Sequence, residues 1–446
     1  MEQRGASAKA ISSNVTWLAI DRIIRMGVML GMSVWMARYL GTAAFGQYAY
    51  ALAFVQLFSV VAAFGLENVV IRDIVRETAP ARLVTLGSAW RLQQRAALAT
   101  WVFALLLVGV WKGLSDPTFF LVLSFSLILL AKSSEVFRLA FAARVDSRWV
   151  VWTENAVLIG FALLKGVIML LGGTVAQLAL ATGVEFGLLA VAFAWVYQRV
   201  YGDRAQWRID KTRMKTLARD AWPMVLSGFA VMVFMRTDQI MLGELVDDAA
   251  VGVYSAAVRV SEIAYILPSI LVGSLYPSLI RAREQDAAAY RRGLEQLFSA
   301  MMLFAVCLIV GGALLAEPLM TALYGASFAE SGRVLAWLLW ATIPVNLGLV
   351  AGKWFVAEGL QRLTFYRMSL GAVVNIALNA WAIPRWGVYG AAMATIAAQV
   401  MANVLFNATH PRAREVFWME IRAIVTGGLS ILPMLFGWIR RRMDRA

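Results

Sequence analysis

Leu297 to Ala316 reads LFSAMMLFAVCLIVGGALLA, twenty consecutive positions without a charge. About twenty apolar residues in a helix are what the roughly 30 Å hydrocarbon core of a bilayer requires. Comparable runs recur from near Thr16 to near Asn407, separated by short polar breaks. The whole chain of 446 residues is 61% hydrophobic and 15% charged, with mean hydropathy +0.70, far from the balance of a soluble domain. An all-α polytopic membrane protein follows, and a water-soluble enzyme is excluded.

Twelve spans are expected, centred on Gly27, Phe54, Trp101, Ser126, Gly160, Gly187, Ala230, Ala264, Leu303, Ala341, Val374 and Thr395. The segment Met1 to Ser13 is polar and lacks the apolar core and small-residue cleavage site of a signal peptide, so the first span is expected to be retained. Of the 41 Lys and Arg residues, about 30 fall on the N-terminus, the even-numbered connections and the C-terminal region, the side that positive loops keep cytoplasmic. They include Arg72, Arg76, Arg82, Arg91 and Arg95 after the second span, and Arg204, Arg208, Lys211, Arg213, Lys215 and Arg219 after the sixth. The other side carries Asp116, Glu244, Asp247, Asp248 and Glu330. The expected place is thus a bacterial cytoplasmic (inner) membrane, with the N-terminus in the cytoplasm. The net charge of +14 is orientation signal and attraction to anionic lipid headgroups, and no nucleic-acid partner is expected.

The single cysteine, Cys307, and single histidine, His410, exclude an intramolecular disulfide, a Cys cluster and a His-rich zinc site. Ala423 to Ile439 is apolar but flanked on both sides by arginines, so a short, tilted or interfacial C-terminal helix is expected there.

An internal repeat organises the chain. Ala43-Ala44-Phe45-Gly46-Gln47-Tyr48 follows the first span and Ala249-Ala250-Val251-Gly252-Val253-Tyr254 follows the seventh, 206 residues later. Each precedes a long apolar span closed by arginines, Arg72 and Arg76 in one case, Arg281 and Arg283 in the other. Both halves start with the same sidedness, so the repeat is parallel. The expected divisions are residues 1–200, a basic linker at 201–219, a second half at 220–409 and an extension at 410–446.

These motifs also carry a resemblance. Ala37-Arg38-Tyr39-Leu40-Gly41 with Phe45-Gly46-Gln47-Tyr48, and Asp238-Gln239-Ile240-Met241-Leu242-Gly243 with Val251-Gly252-Val253-Tyr254 and Tyr276-Pro277, resemble the polysaccharide transporter family. Its members are lipid-linked oligosaccharide flippases of O-antigen and exopolysaccharide synthesis, within the multidrug, oligosaccharidyl-lipid and polysaccharide exporter superfamily. The resemblance implies two six-helix lobes in a V around a cavity that opens alternately to each side. It implies as partners a lipid-linked glycan, membrane lipids and polysaccharide polymerase or assembly proteins, with no cofactor beyond a coupled proton or Na⁺.

Charges at bilayer depth are costly and normally face protein or a water-filled cavity. Seven basic residues lie in spans: Arg22, Arg25, Lys132, Lys165, Arg236, Arg259 and Lys353. Guanidinium groups bind phosphate oxygens bidentately and keep their charge, so Arg22, Arg25 and Arg236, with Arg259 and Lys132, are the candidates for holding a pyrophosphate or acidic sugar. Each has a structural alternative. Asp21 and Arg25 are spaced for an i,i+4 pair, Lys132, Glu135 and Arg138 form a ladder, Arg259 and Glu262 read alike, and Lys165 and Lys353 can snorkel. Asp21, Asp238 and Glu262 are the candidates for ion coupling. Asn375, Asn379, Gln399 and Asn403 are read as interhelical hydrogen-bonding amides. Against a membrane glycosyltransferase or polymerase stands the shortness of every connection. Against a cation-coupled multidrug exporter stands the number of buried basic residues.

Overall fold

The computed structural model describes the backbone of residues 2–431 and the side chains of residues 25–431. Among the described residues there is no strand. The helices are α1 (Glu2–Ala63), α2 (Glu67–Arg76), α3 (Ala79–Lys112), α4 (Pro117–Ala131), α5 (Glu135–Ala143), α6 (Ser147–Leu170), α7 (Val175–Tyr201) and α8 (Lys211–Leu245). They continue with α9 (Asp248–Ala264), α10 (Ile266–Gln285), α11 (Ala287–Tyr324), α12 (Ala329–Leu338), α13 (Thr342–Ala357), α14 (Gln361–Val400), α15 (Phe406–Thr409) and α16 (Arg414–Val425).

Local chemistry sets many of the ends. Asp116 accepts from the Thr118 N–H ahead of Pro117, Asp247 caps α9 through Ala250, and Asp286 caps α11 through Ala288. Thr174 and Gln177 form a reciprocal capping box on α7, and Gly202 closes that helix at φ 66°, a conformation that favours glycine.

Ten helical stretches among the described residues are long and apolar enough to cross a membrane. The count differs from the twelve expected spans because two stretches each contain two of them. Arg25–Arg76, at 52 residues, would run about 78 Å if straight, more than twice a hydrocarbon core. Gly41 breaks it at φ 72° and ψ 178°. Gln361–Thr409 is broken likewise at Gly387, φ 52° and ψ −128°. Beyond that break an added Cβ on Gly390 would sit 2.3 Å from the Ala382 carbonyl oxygen, so the two arms double back closely. Outward-facing Val110, Leu163, Leu170 and Leu171 are exposed, as a lipid-facing surface demands.

The chain forms two compact units, Met1–Arg236 and Thr237–Ala446. In the first, Phe54, Val122, Phe125, Leu129 and Leu178 build one core around α1, α4 and α7, while Leu66, Ile74, Phe137, Phe141 and Tyr197 build another. Helices α4 and α7 approach closely at Gly183, where an added Cβ would lie 1.9 Å from the Ser124 carbonyl oxygen. The segment 201–219, read from sequence as a linker, packs within this unit. The Arg208 N–H donates to the Leu83 carbonyl, the Ser88 hydroxyl bonds Asp210, and Arg213 pairs with Asp73 and Glu77 at 2.7 and 2.6 Å. The division falls inside α8 instead. In the second unit Leu294, Phe298, Met301, Leu347, Phe355 and Val416 form the core. The apolar 423–439 segment is described only to Ile431: α16 ends at Val425 and a short turn follows at Leu429–Ile431, and the rest of that expected helix lies outside the described residues.

Candidate functional site

Asp238 is the focus of the second unit. It is 4% exposed on the last turns of α8, and three donors converge on its carboxylate. The Tyr254 hydroxyl and the Thr395 hydroxyl approach Oδ2 at 2.7 and 2.6 Å, and Asn379 Nδ2 donates to Oδ1 at 2.5 Å. Both hydrogens of the Asn379 amide are used, the second on Asn375 Oδ1 at 3.1 Å. The three donors fix the orientation of the carboxylate. Each also carries an oxygen that can turn toward a bound cation, or give way when the carboxylate takes a proton. Among the described residues no group of three or more His, Cys, Asp or Glu side chains is placed to hold a metal.

The repeat makes this site legible by contrast. In the first unit Tyr48, the counterpart of Tyr254, bonds the Thr182 hydroxyl at 2.7 Å, just as Tyr254 lies 3.1 Å from Thr395. The position 206 residues before Asp238 is Met32, which packs on the first core. At the same spacing the positions before Asn375 and Asn379 are Met169, buried in the first core, and Gly173, neither of which carries a side-chain amide. One Tyr–Thr frame therefore carries a buried carboxylate in the second unit and apolar packing in the first.

Three of the seven basic residues, Arg25, Lys132 and Lys165, meet carboxylates. Arg25 donates to Glu154 of α6, a partner the sequence reading did not consider beside Asp21. Lys165, expected either to snorkel or to bind, instead pairs with Glu185 of α7 at 2.6 Å with both side chains nearly buried. Lys132 sits in a 3₁₀ turn at Lys132–Ser134 and pairs with Glu135 at 3.4 Å, while Arg138 bonds Glu135 at 2.8 Å and reaches Glu67 at 3.6 Å. This ladder borders a cavity of about 170 Å³ lined by Ser59, Glu67, Gln93, Lys132 and Glu135. Gln93 fixes its wall, donating to the Ala63 carbonyl and accepting from the Val136 N–H. Lys353 lies over the Tyr276 ring. Arg236 stands at the end of the first unit, half-buried, and Arg259 and Glu262 are half-buried on α9. Asp21 and Arg22 lie on α1, and their side chains fall outside the described residues.

Sequence reasoning missed Glu154, Arg213, Arg367 and Glu420. Glu154 and Arg213 pair across elements far apart in the chain, and Glu420 accepts from Asn407 across the turn between α15 and α16, so nothing local marks them. Arg367 was overlooked although it begins a visible stripe, Arg367, Gly371, Asn375 and Asn379, at four-residue spacing. Glu420 is fully buried, and burial pushes its carboxyl up to about 8.

Fold and site together define a multi-pass helical membrane protein built from two related units. Its backbone is similar to a lipid II flippase, MurJ in an inward closed conformation, with TM-score 0.72, 15% identity, and coverage of 95% of this chain and 92% of that one. It is also similar to an inward-facing multidrug resistance MATE family transporter, at TM-score 0.66, 13% identity and 94% and 98% coverage. At those identities the likeness is one of fold. The pattern of the polysaccharide biosynthesis protein family matches residues 11–283, and the chain belongs to that family. Among curated relatives, the probable flippase AglR of Haloferax volcanii is 28% identical over 46% of this chain and 44% of its own length. The succinoglycan biosynthesis transport protein ExoT of Rhizobium meliloti is 25% identical over 74% and 66%, and a putative O-antigen transporter of Shigella dysenteriae 22% over 42% and 47%. The chain thus spans from under half to about two thirds of the curated relatives it matches.

Proposed function

We propose that this chain is a flippase that carries a polyprenyl-pyrophosphate-linked oligosaccharide from the cytoplasmic to the periplasmic leaflet of the bacterial inner membrane by alternating access. Its N-terminus lies in the cytoplasm, and the translocated glycan passes to polymerase or assembly proteins. The observation that carries this reading is membership of the polysaccharide biosynthesis family over residues 11–283. Relatives named as flippase, succinoglycan transport protein and O-antigen transporter support it.

A buried carboxylate fits this activity as its ion-coupling centre. With a proton or Na⁺ bound, Asp238 is neutral or neutralised and its three donors are free to rearrange; without it, they hold the carboxylate fixed. Occupancy of Asp238 would therefore bias one packing of the second unit over another. Arg22, Arg25, Arg236, Arg259 and Lys132 are the candidates for the anionic headgroup, with Arg25 exchanging Glu154 for phosphate oxygens. Asp21 and Glu262 remain the secondary coupling candidates.

The test uses a bacterial strain that builds a lipid-linked glycan but lacks its flippase. The chain should restore surface glycan, and Asp238→Asn should abolish the dependence of export on the ion gradient at unchanged protein amount. Drug efflux without glycan export would overturn the reading in favour of a multidrug exporter.

A further inference from the structure

In the first unit, the end of α1, the start of α2, α3 and the junction of α4 with α5 enclose the cavity of about 170 Å³. Two local features shape it. Phe64 and Gly65, in the turn after α1, stand at φ 58° and 56°, a region that a bulky residue such as phenylalanine enters only where its surroundings hold it. That turn brings Leu66 and Glu67 to the cavity wall. Between α4 and α5 the helix tightens into the 3₁₀ turn Lys132–Ser134. Residues three apart eclipse in such a turn, so Lys132 and Glu135 line the cavity side by side. The Glu67 side chain is 58% exposed and Gln93 1%, so the lining runs from the surface to the interior.

The donors and acceptors decide what fits. Glu135 meets Lys132 at 3.4 Å and Arg138 at 2.8 Å, and Glu67 lies 3.6 Å from Arg138, so two cations balance two carboxylates. An ammonium has three donors and a carboxylate about four acceptor positions, so these pairings leave capacity on both sides. The Ser59 hydroxyl donates to the Gln56 carbonyl at 2.8 Å, and its oxygen can still accept. The Gln93 amide is spent on the Ala63 carbonyl and the Val136 N–H, so it shapes the wall. Val60, Leu66 and Leu139 supply an apolar side.

A phosphate placed here would face Glu67 and Glu135, and a cation would face Lys132 and Arg138; an uncharged group meets neither repulsion. A pyranose ring is uncharged, its hydroxyls both donate and accept, and its C–H faces are apolar. The volume lies below the roughly 300–1,000 Å³ of sites for drug-sized ligands, room for one ring rather than several.

We infer that this cavity holds one uncharged pyranose ring of the transported glycan. Glu135 and Glu67 accept from its hydroxyls, Lys132 donates to them, and Val60, Leu66 and Leu139 take its C–H face. The inference rests on the flippase reading and names a site for one sugar of the cargo. It moves Lys132 from the pyrophosphate, where charge alone would place it, to the sugar. Glu154 links the cavity to the headgroup candidates, because it pairs with Arg25 and its charge also acts on Arg138. One charge network thus joins sugar site and Arg25, as a substrate carrying both a sugar and a pyrophosphate requires.

The experiment labels the purified full-length protein, carrying Ser59→Cys and Cys307→Ser, with a water-soluble thiol reagent in the presence of methyl glucoside, methyl galactoside, N-acetylglucosamine, glucuronate or inorganic pyrophosphate. At least one of the three uncharged sugars should slow labelling threefold or more, and glucuronate and pyrophosphate should leave the rate unchanged. Glu135→Ala should raise the sugar concentration that gives half protection at least tenfold. Glu67→Ala, at the exposed rim, should raise it at least threefold and keeps the test open if Glu135→Ala does not fold. Protection by no uncharged sugar, protection by glucuronate or pyrophosphate instead, or protection unchanged in the glutamate variants overturns the site. Export is read separately in the flippase-deficient strain. Restored glycan with no sugar protection overturns the site and leaves the flippase reading standing, whereas protection without export overturns the flippase reading and with it the assignment of the ring to a cargo.

Discussion

The Lys165–Glu185 pair offers a direct energetic test of whether a buried cation in this chain binds substrate or holds helices together. At 2.6 Å and an effective dielectric of about 20, the mutual attraction is roughly 6 kcal/mol, much of it offset by the desolvation of both ions. Replacing only Lys165 by Met removes the attraction and leaves Glu185 buried and uncompensated, a loss of about 3–5 kcal/mol. Glu185→Gln strands Lys165 in the same way. The double variant Lys165→Met/Glu185→Gln removes both charges, so its loss should be smaller than either single one. Unfolding followed by tryptophan fluorescence in detergent, for the four proteins of the cycle, gives the coupling energy. If the two single losses simply add in the double variant, the pair is not an energetic unit and the reasoning fails. A Lys165→Met protein of wild-type stability that no longer exports glycan would instead make Lys165 a substrate ligand.

Other outcomes follow from the same contacts. Tyr48→Phe should cost about 0.5–1.5 kcal/mol and leave transport intact, because Thr182 keeps the Leu178 carbonyl as acceptor; Tyr254→Phe removes a donor from Asp238 and should lower ion-coupled export at equal protein amount. Equal transport by both would contradict the asymmetry of the two units. Gly183→Ala places a Cβ 1.9 Å from the Ser124 carbonyl oxygen, so α4 and α7 must separate, at a cost of about 1–3 kcal/mol or more; an unchanged melting temperature would refute that packing. Glu420 binds a proton when folded up to about pH 8, whereas an unfolded carboxyl near 4.5 has already lost it. Above pH 5 the folded state therefore holds the extra proton, and stability should fall toward pH 8 by up to about 1.4 kcal/mol per unit. Melting curves of Glu420→Gln across that range should be flatter than those of the wild-type protein.

Much of the architecture lies in the sequence itself. Apolar runs of span length fix a helical membrane protein, because a bilayer leaves backbone groups no partner outside the helix. The 206-residue repeat announces two related units, and Asp238, an acid within a span where the first half has Met32, stands out from the order of residues alone. What the sequence does not contain is who meets whom. Arg25 is spaced for Asp21, whose side chain lies outside the described residues, and Glu154 meets it from another helix, a contact no local spacing announces. Lys165 could snorkel, yet Glu185 is close enough to keep it inside. The asparagines of α14 read singly as helix-to-helix contacts. Only when the chain doubles back at Gly387 do Asn379 and Thr395 face Asp238, while Asn407 meets Glu420. Hydropathy is a local sum and survives in the linear order of residues, whereas a charge or amide finds its partner through packing between helices, across 20 positions for Lys165 and Glu185 and 129 for Arg25 and Glu154, which tertiary structure alone decides.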